Sequence, residues 1–270
     1  MPRGSKRSFI RKKPNRIPFL GPRHSASESP LSILQAVDIV KSYQKKRVVD
    51  GVSLQVGKGA VVGLLGPNGA GKTTTFYAIA GFIRPDSGAI LLDGEDVTSL
   101  PIHRRARKGI TYLAQEPSVF RKLTVEENVR IVLEPHGLTR NEITFRIQRL
   151  LADLKIEHLA ENRAATLSGG ERRRVEIMRA LATEPDFILL DEPFAGIDPL
   201  SIADLQHIIR GLKEKGLGVL ISDHNVRETL SVCDHAYIVD HGRILTEGTA
   251  SAIVGSELAR KAYLGQNFNL

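Results

Sequence analysis

The stretch of sequence that decides the fold is Gly66-Pro67-Asn68-Gly69-Ala70-Gly71-Lys72-Thr73. An apolar run at residues 61–65 precedes it and a helix-compatible run at residues 74–80 follows it, so we expect a strand, a tight turn and a helix start. The G-x-x-x-x-G-K-[ST] spacing is that of a P-loop. In such a turn the glycines let backbone N–H groups curl around a phosphate, and the positive end of the helix dipole favours the same anion.

This stretch predicts a nucleotide site. We expect the residues from Gly66 to Thr74 to cradle the phosphates, with Lys72 reaching the β- and γ-phosphates and the Thr73 hydroxyl ligating Mg²⁺. The other interpretation is a glycine-rich turn that binds nothing, and the flanking strand and helix count against it.

The composition fits one large domain, with or without a subdomain, because 270 residues that are 41% hydrophobic can form a well-buried core. The apolar runs are far shorter than the roughly 18 to 20 residues of a membrane-spanning helix, so we expect none. A single cysteine, Cys233, excludes an internal disulfide framework. We expect it to be a small, buried apolar residue in a protein of the reducing cytosol.

The positive charge is concentrated at the start of the sequence. Residues 1–30 hold eight Lys or Arg against one acidic residue, whereas residues 31–270 hold 30 basic and 29 acidic side chains. The net charge of +8 therefore describes a basic extension, rich in Pro and Ser, which we predict to be disordered. We interpret it as a weak tether to anionic lipid, a solvated tail or a mitochondrial transit peptide. For the near-neutral remainder we expect no nucleic-acid partner.

Short strands are predicted on both sides of the P-loop. Residues 33–37 and 52–56 predict an antiparallel flap, and Tyr43 lies in the turn region between them, where a stacking aromatic is more expected than a core one. Residues 89–94 predict another strand. Residues 109–114 are short and β-branched, and they predict a buried strand that delivers Gln115 at its carboxyl end.

A helical insert follows Gln115. Thr124 and Glu127 have the spacing of a capping box, and Pro135 with Gly137 ends the helix that they start. Apolar residues between 143 and 154 recur at helical spacing and predict a second helix with one apolar face.

The stretch Leu167-Ser168-Gly169-Gly170-Glu171, called the signature stretch below, forms another capping box, so a helix with free N–H groups starts there. The next strand, residues 187–190, ends in Asp191 and Glu192, which places two carboxylates at the sheet edge where open α/β folds bind ligands. Asp198 caps a further helix, and the strand at residues 218–222 ends in Asp223 and His224. Strands and helices alternate throughout, so we predict a mainly parallel sheet.

These elements, in this order, resemble the ATP-binding cassette of ABC transporters. The resemblance covers residues 33 to about 255. It implies an α/β fold with a P-loop NTPase (RecA-like) core, an antiparallel β flap and an α-helical subdomain at about residues 116–182. The ATPase domain spans residues 31–255 in this interpretation, and residues 256–270 form a C-terminal tail.

The resemblance also implies how ATP is bound. Two chains face each other head to tail as a homodimer, and each ATP lies between the P-loop of one chain and the signature stretch of the other. Beyond the P-loop, the residues implied to bind ATP are Tyr43 at the adenine, Ser168, Gly169 and Gly170 at the γ-phosphate, Asp191 and Asp198. The implied Mg²⁺ ligands are Thr73, Gln115 and, through water, Asp191.

The implied catalytic residues are Glu192, which polarises the attacking water, His224, which contacts the γ-phosphate, and Lys72 and Gln115. Taken alone, Glu192 also fits a solvated carboxylate and His224 a satisfied core histidine. Within the cassette setting we favour the catalytic interpretation.

A closer resemblance links the chain to the ATPase subunits of lipopolysaccharide export (Lpt) transporters. It rests on residues 63–77, 168–177, 194–199 and 222–229 and on the ending at residues 263–270. It implies a peripheral subunit on the cytoplasmic face of the bacterial inner membrane. This subunit hydrolyses ATP for two integral membrane permease subunits that extract lipopolysaccharide and export it to the outer membrane. The basic extension departs from this family pattern.

The same resemblance implies that Phe120 and Arg121 lie in a groove that receives a coupling helix of a permease subunit. From the sequence alone, Phe120 also fits a core aromatic.

The competing functions are the ATPase of a branched-chain amino acid importer, a soluble ABC protein acting on ribosomes or DNA, and a nucleotide-dependent binding module without hydrolysis. The segment at residues 194–199 and the C-terminus count against the importer. The single cassette counts against the ribosome- or DNA-associated protein, and the presence of Glu192 and His224 counts against a module without hydrolysis.

Overall fold

The structure is a computed structural model, and it describes residues 32–265 and residue 268. The predicted basic extension and its lipid contact lie outside the described residues, as do residues 266, 267, 269 and 270 of the C-terminal motif. In the part of the chain that is described, no helix is long and apolar enough to cross a membrane.

The strands are β1 (Ile33–Tyr43), β2 (Lys46–Gly57), β3 (Val61–Leu65), β4 (Ser87–Leu92), β5 (Glu95–Asp96), β6 (Ile110–Leu113), β7 (Phe187–Asp191), β8 (Gly218–Ser222), β9 (His235–Asp240) and β10 (Arg243–Gly248). The helices are α1 (Lys72–Ala80), α2 (Ile102–Arg107), α3 (Val125–Leu133), α4 (Arg140–Asp153), α5 (Gly169–Leu181), α6 (Pro199–Glu214), α7 (Val226–Leu230), α8 (Ala250–Gly255) and α9 (Glu257–Ala259). Short 3₁₀ turns occupy Glu134–His136, Glu157–Leu159 and Ala164–Thr166, and a π-helical turn occupies Arg260–Leu264.

The flap is an antiparallel sheet with the strand order β2-β1-β4-β5. Its β1–β2 hairpin turns at Gln44 and Lys45, which both have the positive φ of a left-handed turn. Strands β1 and β2 are longer than the sequence pattern predicts because their pairing continues outward to Tyr43 and Lys46. The predicted antiparallel flap is confirmed.

The second sheet has the order β10-β9-β3-β8-β7-β6, and all its neighbours are parallel except the β9–β10 pair. Strands β3, β7 and β8 are buried along their whole length, which explains their continuous apolar runs. The predicted mainly parallel sheet and the α/β class are confirmed. Strand β3 lies between β8 and β9, so the P-loop emerges at the middle of the sheet.

The helical subdomain packs through the apolar face that the sequence predicts. Capping boxes start α3 at Thr124 and α5 at Ser168, and a third box, at Thr139, starts α4. One buried cluster joins these helices to β7 and β8, and Cys233 packs against it, where burial raises the pKa of the thiol.

The C-terminal part of the chain is more structured than its assignment to a tail implies. Strands β9 and β10 and helix α8 extend the sheet side of the domain, and the segment from Glu257 to Leu264 is helical. A third buried cluster contains Leu65, Leu230, Ile238, Ile253 and Ala259. Residues on either side of position 256 therefore belong to one packed unit.

Arg105 is a buried cation that joins α2 to the end of α1. Its guanidinium donates to the carbonyl oxygens of Ala78 and Ile79 at 2.6 Å each, and to those of Leu100 and Thr98 at 2.8 and 2.9 Å. Burial lowers the pKa of Arg105 to about 10, which leaves it charged at neutral pH. A cation at a helix C-terminus also complements the helix dipole.

Replacing Arg105 by Met should lower the free energy of unfolding by at least about 2 kcal/mol, because several buried carbonyl oxygens lose a charged donor. Arg107→Met is the matched control, since Arg107 lies on the same helix with an exposed side chain. Urea denaturation of both variants measures the difference. Unfolding free energies that agree within about 0.5 kcal/mol would contradict this role of Arg105.

Candidate functional site

The P-loop joins β3 to α1, as predicted, and two of its glycines are required by close backbone approaches. A Cβ on Gly66, whose φ is +150°, would lie 2.1 Å from the carbonyl oxygen of Val239. A Cβ on Gly71, whose φ is +103°, would lie 2.5 Å from the carbonyl oxygen of Val48. The loop is therefore held between β9 and the flap strand β2.

Lys72 is buried at the start of α1, although lysine is rarely buried without partners. Its ammonium donates to the carbonyl oxygens of Gly66 at 2.6 Å and Pro67 at 3.0 Å. Burial lowers the pKa of Lys72, and the negative charges of Glu192, Asp223 and Asp191 oppose this effect. The site thus surrounds one cation with three carboxylates.

Asp191 and Glu192 lie at the carboxyl end of β7, as predicted. Asp191 is buried, burial raises the pKa of its carboxyl group, and its Oδ2 accepts a hydrogen bond from the Tyr112 hydroxyl at 3.0 Å. Glu192 has a φ of +43°, and its backbone N–H donates to the Ser222 carbonyl at 2.6 Å. A non-glycine residue in the left-handed region is strained, and such strain clusters at functional sites.

Three of the four residues predicted to be catalytic meet at one oxygen atom. Oε2 of Glu192 accepts a hydrogen bond from the Gln115 side-chain amide at 2.9 Å and lies 3.2 Å from Nδ1 of His224. The fourth, Lys72, interacts electrostatically with Glu192. Because Glu192 has defined partners it is not a lone solvated carboxylate, and the His224 side chain, which is 49% exposed, is not that of a core histidine.

Asp223 fixes the backbone beside His224. Its side chain is fully buried and accepts hydrogen bonds from the backbone N–H groups of Phe194 at 3.0 Å and Asn225 at 2.8 Å. Burial raises the pKa of the Asp223 carboxyl group, and its Oδ1 lies 3.5 Å from Nδ1 of His224. The loop after β7 and the loop after β8 are therefore joined through one carboxylate.

The donor set suits a hard cation that is shared with a ligand. Among the residues that the structure describes, no group of three or more His, Cys, Asp or Glu side chains could hold a metal ion alone. The predicted ligands are instead the buried carboxylate of Asp191, the exposed hydroxyl of Thr73 and the amide of Gln115. Mg²⁺ prefers such oxygen donors and is usually bound by one or two carboxylates together with nucleotide phosphates.

The signature stretch lies at the start of α5, beside α6. The Ser168 hydroxyl accepts from the backbone N–H of Glu171, and a Cβ on Gly170 would lie 2.6 Å from the Ser201 hydroxyl, so this stretch packs against α6. Asp198, predicted to bind ATP, caps α6 by accepting from the backbone N–H of Ser201 at 3.0 Å. Gly169 shares a small cavity with Gln115 and Glu192, and the described residues that line this cavity include none from the P-loop.

Two predicted contact residues are exposed aromatics. Tyr43 ends β1 with 47% of its surface exposed, and the Lys41 ammonium lies 5.7 Å from its ring centroid. Phe120 is 46% exposed, and the Arg179 guanidinium lies 4.8 Å from its ring centroid. The interpretation of Phe120 as a core aromatic is therefore wrong.

Three side chains of the site were missed by the sequence analysis: Tyr112, Asp223 as an anchor of the loop, and Tyr263. Tyr112 lies on β6 three residues before Gln115, and Asp223 directly precedes His224. For both residues, the available signal was a polar side chain within three residues of a predicted site residue. Tyr263 is far from the other site residues in sequence, so only the fold could place it.

The fold and the site define a P-loop nucleotide-binding protein with a carboxylate and a histidine beside the phosphate loop. The family described as "ABC transporter" matches residues 49–195. The chain is 54% identical over 241 residues to the lipopolysaccharide export system ATP-binding protein LptB of Haemophilus influenzae. The aligned region covers 89% of this chain and 100% of that protein. The protein of the same name from Escherichia coli K12 is 52% identical with the same coverage.

Solved structures agree with these relatives. The ADP conformation of an ATP-binding cassette of an ABC transporter matches with a TM-score of 0.78 and 32% identity, covering 87% of this chain and 100% of that one. The chain therefore belongs to the ABC transporter family. It is the ATP-binding cassette, an ATPase.

Replacing Glu192 by Gln should reduce ATP turnover by ~10²-fold or more while ATP binding survives, because the amide keeps the size of the side chain but cannot act as a base. Glu95→Gln is the matched control, since Glu95 is an exposed flap carboxylate paired with Lys108. Phosphate release and fluorescent-nucleotide binding measure the two effects. Turnover within about tenfold of the parent chain would show that Glu192 is not the catalytic carboxylate.

Proposed function

We propose that this chain is the ATP-hydrolysing subunit of a transporter that extracts lipopolysaccharide from the inner membrane and exports it to the outer membrane. The observation that carries this proposal is the identity of 52 to 54% to LptB proteins over their whole length or nearly so. In this proposal the chain is peripheral to the cytoplasmic face of the inner membrane, and two integral membrane permease subunits are its partners.

The proposed hydrolysis uses the contacts around Glu192. Its carboxylate accepts a proton from the attacking water, and the amide of Gln115 and the ring of His224 hold that carboxylate in place. Lys72, charged and enclosed by the P-loop, neutralises the β- and γ-phosphates. Thr73 and Gln115 directly, and Asp191 through water, would hold Mg²⁺, which would supply positive charge to the phosphates when bound.

The proposed dimer is head to tail, with Ser168, Gly169 and Gly170 of one chain at the γ-phosphate held by the other. The cavity beside Gly169 is lined by no described residue of the P-loop, which supports this arrangement. The start of the thirteen-residue helix α5 also supports this arrangement, because the free N–H groups at a helix N-terminus suit an anion. Tyr43 stacks on the adenine in this proposal, and Asp198 lies near the same interface.

Mixing a Lys72→Ala chain with a Ser168→Arg chain should restore ATPase activity, because each mixed dimer contains one composite site with an intact P-loop and an intact signature stretch. Each variant alone should be inactive, and these separate chains are the controls. Steady-state phosphate release at several mixing ratios measures the recovery. Full activity of the parent chain as a strict monomer in analytical ultracentrifugation would contradict the dimer.

Phe120 and Arg121 are the proposed contacts with a permease subunit. The backbone at Phe120 is fixed, because its N–H donates to Asn128 Oδ1 at 2.8 Å and its carbonyl accepts from Asn128 Nδ2 at 3.1 Å. The nearby Ser118 N–H donates to the buried Glu176 carboxylate at 2.9 Å. An exposed ring on a backbone held by hydrogen bonds is suited to anchor a partner. Because Phe120 lies five residues after Gln115, its segment is placed to shift together with the nucleotide site.

Replacing Phe120 by Ala should weaken co-purification with the membrane partners and leave the thermal midpoint of the isolated chain nearly unchanged, since the side chain is half exposed. An interface aromatic of this kind often contributes about 2 kcal/mol or more to binding. Phe145→Ala is the matched control, because Phe145 is a 65% exposed phenylalanine on α4. Equal recovery of the membrane partners with both variants would contradict the coupling role.

The transport function is tested by replacing LptB of Escherichia coli with this chain or with its Glu192→Gln variant. We expect the parent chain to keep lipopolysaccharide reaching the outer membrane and the variant to fail. Affinity purification from the same cells should recover integral membrane proteins with the parent chain. The proposal fails if the parent chain hydrolyses ATP but restores no lipopolysaccharide transport, or if the recovered membrane proteins belong to an amino acid importer.

A further inference from the structure

We propose that Tyr263 is a positioning residue that ties the C-terminal segment to the end of β3 and to the loop that carries the catalytic histidine. Its hydroxyl donates to the backbone carbonyl oxygen of His224 at 3.2 Å. Its ring packs against the buried cluster that contains Leu65, the last residue of β3 before the P-loop, and His224 follows β8. Tyr263 thus contacts the end of the strand before the P-loop by packing and the loop that carries the catalytic histidine by a hydrogen bond.

The hydroxyl is in the protonation state that this hydrogen bond needs. Burial raises the pKa of Tyr263 to about 12, and the charges of Asp223 and Glu192 contribute in the same direction. The hydroxyl therefore keeps its proton at neutral pH and donates it to the His224 carbonyl. A phenylalanine at this position would keep the ring and remove the hydrogen bond to the His224 carbonyl.

The fold holds Tyr263 in place by packing. Its side chain lies against the third buried cluster, in which Leu65 ends the strand before the P-loop and Leu230 ends α7, the helix after His224. Ala259 is the fully buried contact from the C-terminal segment itself. Phe268 packs against the same cluster, and the Arg227 guanidinium lies 6.0 Å from its ring centroid. The segment therefore touches α7 and the end of β3 together.

The backbone around His224 is held from two sides. On one side the buried Asp223 carboxylate accepts from Asn225 and Phe194, and on the other side Tyr263 donates to the His224 carbonyl. The Tyr263 contact comes from a π-helical turn, Arg260–Leu264, a rare geometry that is frequent at functional sites. Both contacts act on the position of the imidazole that lies 3.2 Å from Glu192.

The expected kinetic effect follows from the positioning role, and it rests on the role proposed for His224. Loss of this hydrogen bond should lower kcat by about 2- to 10-fold, the range expected for one hydrogen bond of ordinary strength. KM for ATP should change less than twofold, because the residues proposed to contact ATP are all retained. A purely structural role would lower the thermal midpoint without this separation of kcat from KM.

The experiment compares Tyr263→Phe with Tyr237→Phe in the full chain. Tyr237 is the matched control because its hydroxyl also makes a hydrogen bond with the backbone, accepting from the N–H of Gln55 at 3.3 Å, in the sheet rather than at the nucleotide site. Amide hydrogen exchange, thermal midpoint, ATP affinity and steady-state kinetics are measured for both variants. We expect faster exchange at residues 224–227, and a lower kcat, for Tyr263→Phe only.

The outcomes separate this inference from the function proposed above. If exchange at residues 224–227 and kcat are the same in Tyr263→Phe, Tyr237→Phe and the parent chain, Tyr263 is not a positioning residue. If exchange rises in Tyr263→Phe but His224→Ala keeps the kcat of the parent, the positioning by Tyr263 stands and the catalytic role of His224 fails. A large drop of the thermal midpoint in Tyr263→Phe alone, with kcat and KM unchanged at a temperature where the chain is folded, assigns Tyr263 a structural role and overturns the inference.

Discussion

The pairing of three parallel strands is the constraint on which the rest of the site depends. Leu64 of β3 is paired with Ser222 of β8, and Ser222 is paired with Asp191 of β7. Because parallel strands end at the same edge of a sheet, the P-loop, the two carboxylates and His224 emerge side by side. Glu192 is then fixed by its backbone bond to Ser222, in a left-handed conformation that the neighbouring strand imposes.

The electrostatics of the site follow from this geometry. One lysine and several carboxylates lie close together in a largely buried space, where the charge of one group shifts the pKa of its neighbours. Burial is the largest cause that lowers the pKa of Lys72 and raises the pKa of Asp191 and Asp223. The surrounding carboxylates oppose the shift of Lys72, and hydrogen bonds to the two carboxyl groups oppose the shifts of Asp191 and Asp223. The carboxylates therefore favour a cation bound beside Lys72, and Lys72 together with that cation suits an anionic ligand.

Much of the fold could be predicted from the sequence because its signals are local. The P-loop spacing, the capping boxes at Thr124 and Ser168 and the apolar strands each depend on a few adjacent residues. The order of the strands could not be predicted in this way, since β3 pairs with β8 and β9 across most of the chain. The carboxylates and His224 were found because they follow predicted strands directly.

The residues that sequence reasoning missed act over long separations or through the backbone. Tyr112 reaches Asp191 only because β6 and β7 are neighbours, and Tyr263 reaches His224 only because the C-terminal segment packs under α7. Neither belongs to a short motif that states its role. Residues 256–270, which the sequence analysis assigns to a tail, thus include Tyr263, which contacts the backbone of His224.

The most direct test of this account is a crystal structure of the Glu192→Gln chain with ATP and Mg²⁺. We expect a dimer in which each γ-phosphate contacts Lys72 of one chain and Ser168 of the other. The amide at position 192 should lie beside a water in line with the γ-phosphate, and His224 should remain hydrogen-bonded to Tyr263 through its carbonyl. ATP bound by a single chain, or held with residue 192 out of reach of any water near the γ-phosphate, would contradict it.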